Sequence, residues 1–390
     1  MEKNLDFDTI IDRKNTNSIK YDFAIEQSKR EDILPLWVAD MDFKISSYIQ
    51  EAIEEQVSYG IYGYDNVPPT YFEAVESWMK ERHGWQVKEE WLNKTPGVVF
   101  ALALALNAYT QKGDSVLIQS PVYTPFHKVI EDNERKLVDN TLVCDNTGRY
   151  HMDVEDFEEK IVKENVKVFF LCNPQNPTGR VWNKEELIVI GDICYRHKVI
   201  VVSDEIHADF VFTGRHQVFA NLKPEYQEIT ITCTAPSKTF NIAGLQVSNI
   251  FIENKELRDK FQKQKDATRY EQINSVGMVA CEAAYRSGKE WYAAVMTYIK
   301  DNILWVKEYI DNNLPQIRMY APEGTYLAWL DFSGLQLSNK ELKELIVNKA
   351  GLWLVDGETF GPTGAGFQRM NVACPRRILQ QALKQLKNAL

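Results

Sequence analysis

The chain of 390 residues has no run of Lys or Arg longer than a few residues, and 45 basic against 55 acidic side chains leave a net charge of −10. Nothing in it builds the basic patch that nucleic acid or an anionic membrane requires, so its partners are expected to be small molecules or protein. Long hydrophobic runs are missing too. The longest, "VVFALALAL" at 98–106, is about half of what a membrane-spanning helix needs. The N-terminus "MEKNLDFDTIIDRKN" has no apolar core of the kind a secretory signal carries. Six cysteines (Cys144, Cys172, Cys194, Cys233, Cys281, Cys374) are scattered with no C-x-x-C. That argues against a disulfide framework and predicts reduced core thiols in a cytoplasmic protein. The histidines form no H-E-x-x-H or comparable pair, so no metal site is expected. Neither a fixed-period repeat nor a Gly/Ser- or Pro-rich linker interrupts the chain.

What the chain does have is 44% hydrophobic and 12% aromatic residues, ample for a large core. Its length suggests two domains. Between about residues 95 and 250, short β-branched runs alternate with turns and helical stretches. "DSVLIQS" (114–120), "VKVFFLC" (166–172), "VIVVSDE" (199–205) and "EITITCT" (228–234) read as strands. Their nearly continuous hydrophobicity suits strands buried on both faces of a mostly parallel sheet. Amphipathic stretches such as 183–198, opened by Asn183 with Glu186 three residues on, supply the crossover helices. This is an α/β pattern. From about 291 the pattern changes to a long helix, then separated strands and helices, which predicts a smaller α+β domain. The boundary is placed near 290, at "RSGKE".

In open α/β sheets ligands bind beyond the carboxyl ends of the strands. The loops after the four strands carry, in order, Tyr123 in "SPVYTPF", Asn173 and Asn176 in "NPQNPTG", Asp204 and His207 in "SDEIHADF", and Lys238 in "APSKTF". Each has an ordinary explanation when taken alone. Tyr123 can fill a turn between prolines, the Asn-Pro segment can be turn chemistry, Asp204 can cap a helix, and Lys238 can lie at the surface. Together they require four coincidences at equivalent places in one sheet.

Lys238 is the sharpest of these. A lysine at the end of a buried strand must be paired, shifted in pKa or chemically used, because stripping water from an ammonium is costly. Pyridoxal phosphate (PLP) would use all four positions. Its aldehyde forms a Schiff base with a lysine, its pyridine nitrogen takes a carboxylate, its phenolate oxygen takes a donor and its ring takes an aromatic face. Its phosphate suits a helix N-terminus. Pro96-Gly97 turns the chain into an apolar helix whose first amides, at Gly97, Val98 and Val99, lack intrahelical partners.

"SDEIHADF", "NPQNPTG" and "PSKTFNIAGL" resemble the fold-type I PLP enzymes of the class I/II aminotransferase superfamily. "LPLWVADMDF" (34–43), "GIYGY" (60–64) and "RMNVACPR" (369–376) are similar to the MalY/PatB type of cystathionine β-lyase, or C-S lyase. The resemblance spans roughly residues 30–376. It implies Lys238, Asp204 and Tyr123 as the catalytic set, with Lys238 as the Schiff-base lysine, Asp204 on the pyridine nitrogen and Tyr123 stacked on the ring. It implies Asn176 as the donor to the phenolate, His207 among the cofactor-binding residues, and Ser237 with the amides at 97–99 around the phosphate. Arg369 resembles the clamp for a substrate carboxylate, with Ala39 and Asn176 beside it. Tyr64 resembles a tyrosine that reaches the phosphate from a neighbouring subunit, which implies a homodimer with a composite site. The implied division is an N-terminal segment, 1–48, packing on the small domain and the active site, a large PLP domain, 49–290, and a small domain, 291–390.

Two positions depart from the wider aminotransferase pattern. Ala235 stands where many relatives carry a phosphate-binding serine, and Gln246 where they carry a phosphate-binding arginine. Ser237 offers a hydroxyl instead. The missing arginine resembles the C-S lyase branch. The implied reaction is β-elimination of L-cystathionine, or of L-cysteine and related S-conjugates, to a thiol, pyruvate and ammonia. Two rivals stand beside it: an aminotransferase, which would need a 2-oxo acid acceptor, and a regulatory protein that binds a transcription factor.

Overall fold

The computed structural model describes residues 5–390. Its main sheet has seven strands: β1 (Leu92–Thr95), β2 (Ser115–Ile118), β3 (Lys136–Asp139), β4 (Val168–Cys172), β5 (Ile200–Asp204), β6 (Thr230–Thr234) and β7 (Ser248–Phe251), in spatial order β1-β7-β6-β5-β4-β2-β3. The links from β3 through β2, β4 and β5 to β6 are parallel. Only β7 runs against its neighbours. The four sequence-predicted strands all lie in the interior of this sheet, next to one another. The fourth begins at Thr230, because the chain over Pro224–Glu228 first makes a 3-10 turn.

The continuous hydrophobicity of these strands reflects burial on both faces. Phe170, Val202 and Ile231 pack in one layer with α1 (Val98–Tyr109), whereas Phe169, Leu171 and Val201 pack in the other with α2 (Lys184–His197). Each such phenylalanine, once buried, contributes roughly 1.5–3 kcal/mol. Helix α2 opens as its sequence predicts. The Asn183 side chain accepts from the Glu186 amide at 2.8 Å, and the Glu186 carboxylate accepts from the Asn183 amide at 2.9 Å.

The C-terminal part carries a four-stranded antiparallel sheet of β8 (Arg318–Met319), β9 (Leu327–Asp331), β10 (Val355–Asp356) and β11 (Phe367–Asn371), in the order β8-β9-β11-β10. The helices α3 (Lys289–Asn313) and α4 (Arg376–Ala389) pack on it. The N-terminal segment joins this part, because Leu34–Pro35 pairs in parallel with Leu352–Trp353. We propose the division 1–48, 49–290 and 291–390. The break at Gly288 before α3 supports it. The helix itself bridges the two parts: Tyr292 donates to the Asp209 carbonyl, while Asn302 donates to the carbonyls of Val372 and Cys374.

All six cysteines are free, and five are buried. Cys144 is the exception to the expectation of core thiols: it lies on a short exposed strand, Val143–Cys144, outside the main sheet. No helix among the described residues is long and apolar enough to cross a membrane.

Candidate active site

Because β2, β4, β5 and β6 point the same way, the loops that follow them meet at one edge of the sheet. There Tyr123, Asn176, Asp204, His207 and Lys238 line a single cavity of ≈ 640 Å³. Asn173 lies apart from its wall, donating instead to the Gln217 carbonyl at 3.0 Å.

The Lys238 Nζ donates to the Ala39 carbonyl at 2.8 Å, and the Tyr326 hydroxyl donates to the same oxygen at 2.9 Å. Burial pushes the Lys238 amine down to about 8; Arg369 adds to the shift, while Asp40 and Asp204 oppose it. The Asp204 carboxylate accepts the Ile206 amide at 3.1 Å, and burial pushes it up to about 7 against that bond and the pull of Lys238. Amine and acid therefore sit near their titration points within one cavity, a pairing suited to proton transfer.

His207 and Tyr123, on the same cavity, are neutral. Burial, with the charges of Lys238 and Arg369, takes His207 down to about 3, so its imidazole is uncharged, and its buried Nδ1 has no partner. Burial and the Asp204 charge take Tyr123 up to about 12, leaving it a phenol. Helix α1 presents its N-terminus to the same space. Gly97 is its N-cap with no side-chain cap bond, and Gly97, Val98 and Val99 line the cavity. A Cβ at Gly97 would meet nothing within 4 Å, so open space lies before these amides. Ser237 and Gln246 also line it; Ala235 does not.

The small domain and the N-terminal segment close the far side. Arg369, on β11, is buried. Its Nη1 donates to Asn176 Oδ1 at 3.0 Å, its Nη2 to the Trp37 carbonyl at 2.8 Å, and its Nε has no partner. The guanidinium carbon lies 5.1 Å from the centre of the Phe360 ring. A buried cation served only by neutral oxygens is suited to an incoming carboxylate. Burial holds it down to about 10, still charged at neutral pH. Ala39 lines the same cavity.

Sequence reasoning missed Trp37, Phe360 and Tyr326. Trp37 stood inside a quoted motif, but Phe360 and Tyr326 carry no local signal, because only the packing of distant segments brings them here. It also missed a buried charge cluster behind Ala39: Lys20 bonds Asp42 at 2.7 Å and lies 3.2 Å from Asp40, and Arg13 bonds both carboxylates. Tyr64 is not on the cavity wall and is 93% exposed.

The profile described as Aminotransferase class I and II matches residues 31–386, and the chain belongs to that family. Over 387 residues it is 42% identical to cystathionine beta-lyase PatB of Bacillus subtilis (strain 168), covering 99% of this chain and 100% of that one. Cystalysin from Treponema denticola, whose structure contains pyridoxal 5'-phosphate, superposes with a TM-score of 0.96 at 38% identity, covering 98% of both chains. The PLP-bound C-S lyase from Staphylococcus hominis does so with a TM-score of 0.92 at 35% identity, covering 99% of this chain and 98% of that one. The fold is thus that of the fold-type I PLP enzymes.

Proposed function

We propose that this protein is a PLP-dependent carbon–sulfur β-lyase that converts L-cystathionine and water to homocysteine, pyruvate and ammonia, and that also acts on L-cysteine and related S-conjugates. The observation that carries the reading is the meeting of Lys238, Asp204 and Arg369 on one cavity: an amine near its titration point, an acid near its own, and a buried guanidinium lacking a carboxylate. The names of the relatives support elimination over transamination, as does Gln246 in place of an arginine.

The residues present fit the cofactor. The partnerless His207 Nδ1, the uncapped helix end at Gly97 and the open space before it are features that a flat, phosphate-bearing ring would use. Bound PLP supplies the electron sink that lets the bonds at Cα and Cβ of an amino acid break. Lys238 takes the Cα proton in its neutral form. Among the cavity residues, Asp204 would hold a proton on the ring nitrogen, Asn176 would donate to the ring oxygen, Tyr123 would give the ring an aromatic face, and His207 would help to bind the cofactor. The amides at 97–99 and Ser237 would hold the phosphate, and Arg369 with Ala39 would orient the substrate carboxylate. Trp37 and Phe360 limit the access of water.

A homodimer completes the site. The stretch around Tyr64 supports this, because Tyr59, Ile61, Tyr62 and Tyr64 are all exposed on their own chain. In such a dimer, Tyr64 of each subunit would reach the phosphate of the other. A cytoplasmic location accords with six free cysteines. A regulatory role towards a transcription factor would use surface apart from the cavity and would coexist with catalysis.

The deciding experiment is pyruvate release from L-cystathionine and from L-cysteine with no 2-oxo acid added. One pyruvate per thiol is expected. Turnover that depends on an added oxo acid would make the protein an aminotransferase.

A further inference from the structure

A second cavity, of ≈ 200 Å³, adjoins the first, and Trp37 and Val355 line both. Its remaining walls belong mainly to the small domain and include Trp353, Asp356, Gln368 and, on the helical stretch 339–349, Lys343. Strand geometry turns the corner between the two spaces. Val355 is the register partner of Arg369, and Asp356 that of Gln368. Successive side chains on a strand point to opposite faces. Val355 therefore shares the Arg369 face, towards the first cavity, while Asp356 and Gln368 line the second.

The charges on this second cavity are uncommitted. The Lys343 side chain is exposed and forms no hydrogen bond or ion pair with any described residue. The Asp356 carboxylate accepts the Glu358 amide at 3.3 Å and meets no cation. Although both line one small space, they do not pair with each other. A cation and an anion held apart on the walls of one pocket complement a zwitterion, whose carboxylate and ammonium share a single carbon. The aromatic walls of Trp37 and Trp353 suit the methylene stem that would lead to such a group.

Resting on the lyase reading above, we infer that this second cavity is a subsite for the distal amino-acid head of a thioether substrate, with Lys343 facing its carboxylate and Asp356 its ammonium. Arg369 then fixes the end that reacts, and Lys343 with Asp356 reads the half that leaves. A substrate with the same Cβ–S bond but no distal head leaves the subsite unused. Selectivity among sulfur amino acids is set here, one strand residue away from the carboxylate clamp.

The test compares kcat/KM of the holoenzyme for L-cystathionine and for S-methyl-L-cysteine in wild type, Lys343→Met and Asp356→Asn. Neither substitution threatens the fold: Lys343 is an exposed helical residue, and asparagine keeps an oxygen for the Glu358 amide. Each variant is expected to lose about fivefold for L-cystathionine, through KM with kcat retained, the scale of a partly exposed ion pair. S-methyl-L-cysteine is expected to stay within about twofold of wild type. An equal effect on both substrates, or an effect on neither, overturns the subsite. If wild type releases pyruvate from neither substrate, the lyase reading falls and takes the subsite with it, an outcome distinct from the first two.

Discussion

Arg369 on the small-domain strand β11 and Asn176 after the large-domain strand β4 are joined by a 3.0 Å hydrogen bond, although 193 positions separate them in the chain. The bond ties the proposed clamp for a substrate carboxylate to the wall of the cavity. It also leaves the guanidinium with neutral partners only, which suits it to the carboxylate of a substrate.

Arg369→Ala is accordingly expected to lower kcat/KM for L-cystathionine by about thirtyfold to a few thousandfold, the effect of removing one partner of a buried, hydrogen-bonded charge pair. The cofactor spectrum is expected to stay normal. Arg369→Lys recovers only part of the loss, because an ammonium cannot make two parallel bonds. Substrate with an esterified carboxylate separates this from a folding defect: the alanine variant should lose little further. Wild-type cleavage of the free acid by both variants would make Arg369 a structural charge.

The Lys238 amine, pushed down to about 8 from 10.5, is mostly neutral above that pH. Only the neutral amine is a nucleophile. Cofactor uptake by the cofactor-free chain, followed as growth of the long-wavelength absorption band, is therefore expected to accelerate between about pH 7 and 9 and then to level off. Asp204, Asp40 and Arg369 are the charges that face Lys238. The two carboxylates hold its value up and the guanidinium holds it down, so Asp204→Asn should move the midpoint lower. A rate still climbing above about pH 10 would show an ordinary lysine. Lys238→Ala should give no borohydride-reducible band and lose turnover by at least roughly a thousandfold.

Asp204→Asn is expected to preserve the fold and thermal midpoint while turnover falls by about a hundredfold or more. The amide still hydrogen-bonds, but it carries no charge to keep a ring nitrogen protonated. Relieving a buried carboxyl that burial has already pushed up to about 7 should cost the fold little. Unchanged turnover would reduce Asp204 to the turn contact it makes with the Ile206 amide.

Tyr64 offers a test of the composite site. Mixed dimers of Tyr64→Phe and Lys238→Ala subunits, each impaired alone, should regain one intact site per dimer if Tyr64 works across the interface. Absence of recovery after proven subunit exchange, or a monomeric protein in sedimentation, would remove it from the site.

The chemistry at the strand ends was legible because each piece is local. A β-branched run ends, a loop begins, and the loop carries one functional side chain. Parallel order then brings Tyr123, Asn176, Asp204 and Lys238 to the same edge, as the sheet rule predicts. The uncapped start of α1 was legible for the same reason, since Pro96-Gly97 before an apolar run marks a helix end. Strands β1, β3 and β7 were not read, because Leu92–Thr95 and Lys136–Asp139 are half polar and lie at the sheet edges, while β7 joins the sheet in reverse.

By itself the sequence determined the alternating α/β layers, the residues placed after the strands and, through its motifs, the likeness to C-S lyases. Only the tertiary structure decided what Arg369 faces, that Lys238 and Tyr326 both donate to the Ala39 carbonyl, that Trp37 and Phe360 line the cavity, and that Lys343 and Asp356 share a second one. The physical reason is range. Hydrophobic period and turn chemistry act over a few residues and are written in neighbouring letters, whereas these contacts span up to hundreds of positions and exist only once an N-terminal segment and a small domain have packed against the edge of the sheet.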